Sequence, residues 1–253
     1  MQLVLYDGSW LGFFSAIFEI YEYKIADPLI SGREAEIGSI FSSSHKVHTD
    51  ETKSNRVINK LRQKLSPVGF SLLYKTFLSE EKEIENVMFR FIRYALSSKN
   101  SIENNYADPD VLILQQVSRK VHREKHRMEA FVRFQLTKDQ LYYAVIQPDY
   151  NVLPLIMKHF KDRYADQRWL IYDVVRKYGF YYDLHKVSEV SIDFNFDSND
   201  ESSLAGIYNE EENLYQVLWK QYFKSVNIAA RKNTRLHIQH MPKRYWKYLI
   251  EKK

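Results

Sequence analysis

The stretch DPDVLILQQVSRKVHREKHRMEAF, residues 108–131, decides the fold class, because the hydrophobic period changes directly after it. Asp108-Pro109 is a typical helix start, with a capping side chain followed by proline in the first turn. Apolar residues at helical spacing then predict a buried seam along the segment: Leu114, Val117, Val121 and Met128. The stretch therefore predicts one long helix with a single buried face.

The chain beyond this helix contains segments with the period of β-strands. Five segments predict strands: residues 131–136, 141–146, 169–175, 180–184 and 190–196. The first half has helical spacing, apart from a short strand at 2–6 and a loop at 27–44. The sequence therefore predicts an α+β fold that is helix-rich, with one mainly antiparallel β-region in the second half.

The solvent side of the long helix carries a row of basic residues. Their spacing is i, i+3, i+4, i+7, i+8, which at ~100° per residue confines them to an arc of roughly 140°. They are Arg119, His122, Arg123, His126 and Arg127. We call this row the cationic face and expect its arginines to point to solvent. Such a face is typical of a protein that binds a polyanion, although it could also simply keep the protein soluble.

A second basic segment lies at residues 231–247, which hold six Lys or Arg and no acid. Aromatic residues are interleaved with these cations, as in grooves that track a nucleic-acid backbone. Pro242 is expected to open a last helix, which docks on the core through a face made of Tyr245, Trp246, Leu249 and Ile250. Together the two basic segments provide the candidate nucleic-acid-binding residues: Arg119, His122, Arg123, His126, Arg127, Arg133, Arg231, Lys232, Arg235, Lys243 and Arg244.

The composition excludes several classes of site. The 253 residues include no cysteine, so a disulfide framework, a thiolate zinc site and a cysteine-held iron–sulfur cluster are excluded within this chain. His122 and His126 have a metal-ligand spacing, but the neighbouring guanidinium groups would repel a cation. We therefore expect no metal and no cofactor.

No export signal is recognised, and the most apolar segment, 11–18, is too short to cross a bilayer. A cytoplasmic protein without membrane contact is expected.

Acid–base chemistry has three candidate residues. His159 and Arg163 lie four residues apart at the edge of an apolar helix stripe, where a charged side chain usually has a partner. Asp173 or Asp183 could be that partner, in which case the contact is a structural salt bridge. Alternatively, His159, Asp173 and Glu124 would be the acid–base residues of an enzyme acting on a nucleic-acid base.

Several phrases of the chain together resemble a bacterial family of proteins assigned to DNA metabolism and DNA repair. The phrases are LYDGSW at 5–10, VHREKHRM at 121–128, AFVRF at 130–134, WLIYD at 169–173 and MPKRYW at 241–246. The resemblance extends from end to end, which implies a single family domain over residues 1–253. The change of period would divide that domain into a helical lobe, 1–130, and a β-containing lobe, 131–253.

The resemblance also implies a context. Genes of this family usually accompany a gene for a radical SAM protein thought to act on DNA, and some members are fused to a uracil-DNA-glycosylase-like domain. The resemblance therefore implies a DNA-binding accessory protein in DNA repair or modification, with DNA and a radical SAM protein as partners. Two alternatives stay open at this point: an enzyme acting on a nucleic-acid base, and a protein–protein scaffold without nucleic-acid contact.

Overall fold

The computed structural model describes residues 2–32, 44–191, 238–249 and 252. The chain divides into two compact units, Met1–His122 and Arg123–Lys253, which we call unit 1 and unit 2. Helices and strands are segregated along the chain rather than alternating throughout. The predicted α+β class is therefore confirmed.

Unit 1 is built on a small parallel sheet. Its strands are β1 (Gln2–Leu5), β2 (Pro28–Ser31) and β3 (Ser44–Lys46). Their order is β2-β1-β3, and both pairings are parallel. Helix α1 (Trp10–Glu22) lies between β1 and β2 in the chain, because parallel neighbours need a crossover connection. Val4 at the centre of the sheet is fully buried.

Three further helices complete the core of unit 1: α2 (Glu51–Lys64), α3 (Pro67–Phe77) and α4 (Ile84–Ser97). Asp50 caps α2 by accepting a hydrogen bond from the amide of Lys53. The hydroxyls of Ser15 in α1 and Ser54 in α2 are hydrogen-bonded at 2.8 Å, so these small residues allow a close approach of the two helices. Aromatic and aliphatic side chains fill the space between the elements, including Phe13, Phe14, Leu73, Met88, Phe91 and Ile92.

Helix α5 (Pro109–Phe131) confirms the long helix predicted from the sequence, and it supplies residues to both units. Asp108 caps its first turn, because its Oδ1 accepts hydrogen bonds from the amides of Asp110 and Val111. The apolar seam is buried as predicted, with Val111 at its start and then Leu114, Val117, Val121 and Met128.

Unit 2 contains a five-stranded sheet with its strands in chain order. They are β4 (Gln135–Leu136), β5 (Tyr142–Ile146), β6 (Trp169–Asp173), β7 (Tyr178–Tyr182) and β8 (Val187–Val190). Only the pairing of β5 with β6 is parallel, and helix α6 (Leu153–Arg163) lies between these strands in the chain. Trp169 is fully buried among the rings of Phe134, Phe160 and Tyr182.

Gly179 in β7 is required by close packing against β6. A Cβ atom at this position would lie 2.6 Å from the carbonyl oxygen of Ile171. It would also lie 3.2 Å from the ring of Tyr172, which is the strand partner of Gly179. The Tyr172 ring therefore covers a position that no larger side chain could occupy.

Several sequence predictions need correction. The loop predicted at 27–44 contains β2 and the start of β3, so unit 1 has a sheet that the sequence did not predict. The strand predicted at 131–136 is reduced to β4, because α5 continues to its last residue, Phe131. The helix expected at Pro242 is a 3₁₀ helix (Lys243–Tyr248). Most of the strand predicted at 190–196 lies outside the described residues.

Within the described part of the chain, no helix has the length and apolarity needed to cross a membrane.

Candidate nucleic-acid interface

The cationic face of α5 is exposed over most of its length. Arg119, His122, Arg123 and His126 all lie in solvent. Neither Arg119 nor Arg123 forms an ion pair with any residue that the structure describes. These two guanidinium groups lie one helical turn apart on a continuous helix, so they present adjacent positive charges to solvent.

Glu124 follows Arg123 directly but lies on the buried side of the helix, with its side chain only 1% exposed. Its Oε1 accepts hydrogen bonds from the amide of Asp149 at 3.0 Å and from the hydroxyl of Tyr245 at 2.5 Å. Its Oε2 lies 3.0 Å from Nη2 of Arg244 and 3.4 Å from Nη1 of Arg127. We call Glu124, Arg127, Asp149, Arg244 and Tyr245 the Glu124 cluster.

The outer edge of the Glu124 cluster is formed by Arg244 and Asp149. Nη2 of Arg244 lies 2.6 Å from Oδ2 of Asp149, and both side chains are well exposed, at 39% and 49%. The Arg244 guanidinium lies over the Tyr245 ring, 4.5 Å from its centroid. Arg244 also hydrogen-bonds the Tyr245 hydroxyl, so its position is fixed from two sides.

The electrostatics of the cluster follow from its burial. Burial raises the pKa of Tyr245, and the hydrogen bond to the Glu124 carboxylate reinforces the shift. Burial also raises the pKa of Asp149, and the charge of Glu124 adds to this effect while Arg244 opposes it. Burial disfavours the charged form of Arg244. Its interactions with the Tyr245 phenol and with the Glu124 and Asp149 carboxylates favour the charged form more strongly, so the pKa of Arg244 is raised.

These contacts correct the expectation that every arginine of the cationic face points to solvent. The Arg127 side chain is 30% exposed and pairs with Glu124. Arg244 is likewise engaged by two carboxylates. The arginines of the face without acidic partners in the described chain are therefore reduced to Arg119 and Arg123.

A second carboxylate on α5, that of Glu129, contacts a separate group of basic side chains. Nζ of Lys125 lies 2.5 Å from its Oε1, and Nδ1 of His126 lies 3.3 Å from its Oε2. His159 on α6 also faces Glu129, with its Nδ1 at 4.0 Å. The expectation that Asp173 or Asp183 pairs with His159 is therefore wrong.

Asp173 at the end of β6 is fully buried and has a structural role. It pairs with Nη1 of Arg176 at 2.9 Å and accepts a hydrogen bond from the amide of Val175. Arg176 in turn donates to the carbonyl oxygens of Pro148 and Asp149, which fixes the loop that enters the Glu124 cluster.

The three acid–base candidates do not contact one another directly among the described residues. No hydrogen bond or ion pair between described residues joins any two of Glu124, His159 and Asp173. Each has its own structural partners, so the geometry does not favour a shared catalytic site. Within the described residues, no group of three His, Cys, Asp or Glu is arranged to hold a metal ion.

The other predicted nucleic-acid-binding residues lie outside both the cationic face and the Glu124 cluster. Nη1 of Arg133 donates to the carbonyl oxygens of Ala130 and Val132, which is a favourable position for a cation at a helix C-terminus. Lys243 is exposed and lies 6.0 Å from the Trp246 ring centroid. The docking predicted for the last helix holds for Tyr245 and Leu249, which are buried, whereas Trp246 is half-buried and Ile250 lies outside the described residues. Three further candidates lie outside the described residues: Arg231, Lys232 and Arg235.

Sequence reasoning missed Asp149 and the role of Tyr245 in the cluster. Asp149 lies in the loop between β5 and α6, where neither helical nor strand spacing marks it. Its partners, Glu124 and Arg244, lie 25 or more residues away in the chain.

Residues 82–251 match the DUF4130 family, which is described as a domain of unknown function. The match covers more than half of the chain, so the chain belongs to this family. The matched range includes all of α5, the loop with Asp149 and the 3₁₀ helix, and hence every residue of the Glu124 cluster. No curated protein and no solved structure is similar enough to match the chain.

Proposed function

We propose that the chain binds nucleic acid through its backbone phosphates, with the cationic face of α5 as the contact surface. The observation that carries this proposal is the exposure of Arg119 and Arg123 without an acidic partner in the described chain. Arginines in solvent are well suited to phosphates, because the guanidinium fork matches the geometry of two phosphate oxygens.

The exposed histidines support the same function. His122 and His126 lie on the same helix face as the two arginines. Contacts to backbone phosphates position a nucleic acid without reading its sequence, so we expect the binding to be weakly sequence-dependent.

The biological role we propose is an accessory function in DNA repair or modification, in the cytoplasm and together with a radical SAM protein. This part rests on the family resemblance of the signature phrases. The chain contains no cysteine, so any iron–sulfur chemistry would belong to another polypeptide. Co-expression followed by size-exclusion chromatography tests the partnership, and separate elution at micromolar concentration with and without DNA would contradict it.

Fluorescence anisotropy with short duplex and single-stranded oligonucleotides, at several salt concentrations, tests the binding. Log affinity should fall linearly with log salt, by about 0.9 per phosphate contact on duplex and about 0.7 on single strands. An Arg119→Ala/Arg123→Ala variant should flatten this slope by about two contacts, or about 1.8 on duplex.

The matched control is Lys60→Ala/Lys138→Ala. It also removes two exposed cations, one from each unit and neither from α5. This control should keep the parental slope to within about half a contact. The proposal is refuted if the parent fails to bind either oligonucleotide at about 50 mM salt, or if both double variants flatten the slope equally.

A further inference from the structure

The Glu124 cluster places two guanidinium groups against one buried carboxylate oxygen. Oε2 of Glu124 is shared by Nη1 of Arg127 and Nη2 of Arg244. A guanidinium has five N–H donors, and the described contacts of each side chain use only one of its nitrogens. The two arginines therefore keep donors that can engage a further anion.

Both arginines reach solvent from fixed positions. Their side chains are 30% and 39% exposed, and Arg244 is held against Tyr245 by its stacking and hydrogen bond. A pair of arginines anchored on a buried carboxylate is pre-organised, so little side-chain entropy is lost when a phosphate binds.

We infer that Arg127 and Arg244 form a binding site for a backbone phosphate of nucleic acid, and that the Asp149 carboxylate competes with this phosphate for Arg244. The inference rests on the proposed nucleic-acid function and assigns one phosphate contact within it. It adds Asp149 as a residue that tunes affinity.

The contacts of Asp149 suit a competitor rather than a permanent partner. Its backbone is anchored on both sides, because its amide donates to Glu124 and its carbonyl accepts from Arg176. Its carboxylate is 49% exposed and lies 2.6 Å from Arg244. The side chain can therefore rotate into solvent while the loop keeps its position. Its pKa is raised by partial burial and by the charge of Glu124, although Arg244 opposes the shift, which agrees with a carboxylate that is easily displaced.

An Asp149→Asn variant tests the inference, because it removes the competing charge and keeps both backbone hydrogen bonds. An exposed ion pair contributes up to about 1 kcal/mol, so its loss should tighten oligonucleotide binding by up to about fivefold at low salt. The salt dependence should steepen by up to about one contact, because the arginine then neutralises a phosphate in place of Asp149.

The control is Asp162→Asn, which removes another exposed carboxylate, one that pairs with Lys158 on α6. It makes the same change in net charge without touching the Glu124 cluster. An Asp149→Asn/Arg244→Lys variant should lose the gain, because lysine keeps the charge but not the guanidinium fork.

The outcomes separate the inference from the function on which it rests. If the parent does not bind, the proposed function fails and the inference fails with it. If the parent binds but Asp149→Asn behaves like Asp162→Asn, the inference alone is overturned. It is also overturned if the Asp149→Asn/Arg244→Lys variant keeps the full gain in affinity. Thermal unfolding of each variant shows that the comparison is made between folded proteins.

Discussion

A Glu124→Gln variant should be clearly less stable than the parent, because the carboxylate neutralises two guanidinium groups at a buried point. The amide has almost the same shape, so the change removes a charge without leaving a cavity. It also turns an NH₂ group toward partners that all donate to the carboxylate: the Asp149 amide, the Tyr245 hydroxyl and the guanidinium groups of Arg127 and Arg244.

The magnitude follows from the burial of the group. Removing one partner of a buried ion pair costs about 3–5 kcal/mol, because the remaining charge is left uncompensated. Here the carboxylate is 1% exposed, but Arg127 and Arg244 are partly in solvent, which recovers part of that cost. We therefore expect a loss of about 2–4 kcal/mol, equivalent to about 5–15 °C in melting temperature for a chain of this size.

Two measurements check this value. Calorimetry gives the change in melting temperature, and hydrogen exchange of the segment around Asp149 reports the bond from its amide to Glu124. Glu81→Gln is the control, since Glu81 forms an exposed pair with Lys120 and should cost less than about 1 kcal/mol. A Glu124→Gln protein as stable as this control, with unchanged exchange at Asp149, would refute the assigned role of Glu124.

Two further predictions concern other parts of the fold. Burial disfavours ionised Glu19, but hydrogen bonds from Lys53 and His45 outweigh it and lower the pKa of Glu19 below its ordinary 4.5. Its stabilisation is therefore present above that value and lost as the pH falls through the lowered pKa, so urea unfolding should separate Glu19→Gln from the parent near neutral pH and less at about pH 3. Gly179→Ala should cost about 1–3 kcal/mol, because its Cβ meets the Ile171 carbonyl oxygen at 2.6 Å. A Gly179→Ala melting temperature equal to that of Ser188→Ala on β8 would contradict this packing argument.

The helices could be predicted because their signals are local. Asp108-Pro109 marks the start of α5, and its seam repeats at helical spacing from Val111 to Met128. The sheet of unit 1 could not be predicted in the same way. Strands β2 and β3 are short and lie at the two ends of a segment rich in glycine and serine, which masks them as loop, and their pairing to β1 is non-local.

In the candidate site, too, local features could be predicted from the sequence and contacts between distant segments could not. The exposed positions of Arg119 and Arg123 follow from helical periodicity alone. The engagement of Arg127 and Arg244 does not, because it depends on a buried carboxylate whose partners come from distant segments. Periodicity places Glu124 near the seam, but it cannot reveal which side chains neutralise it.

The bond between Glu124 and Tyr245 has a consequence for how the chain is made. The two residues are 121 positions apart, whereas the residues of unit 1 all precede Glu124. At a synthesis rate of about 5–20 residues per second, roughly 6–24 s separate the appearance of Glu124 from that of Tyr245. During that interval unit 1 has all of its residues, while Glu124 lacks Arg244 and Tyr245. Glu124 therefore gains its C-terminal partners only after every residue of unit 1 has been synthesised.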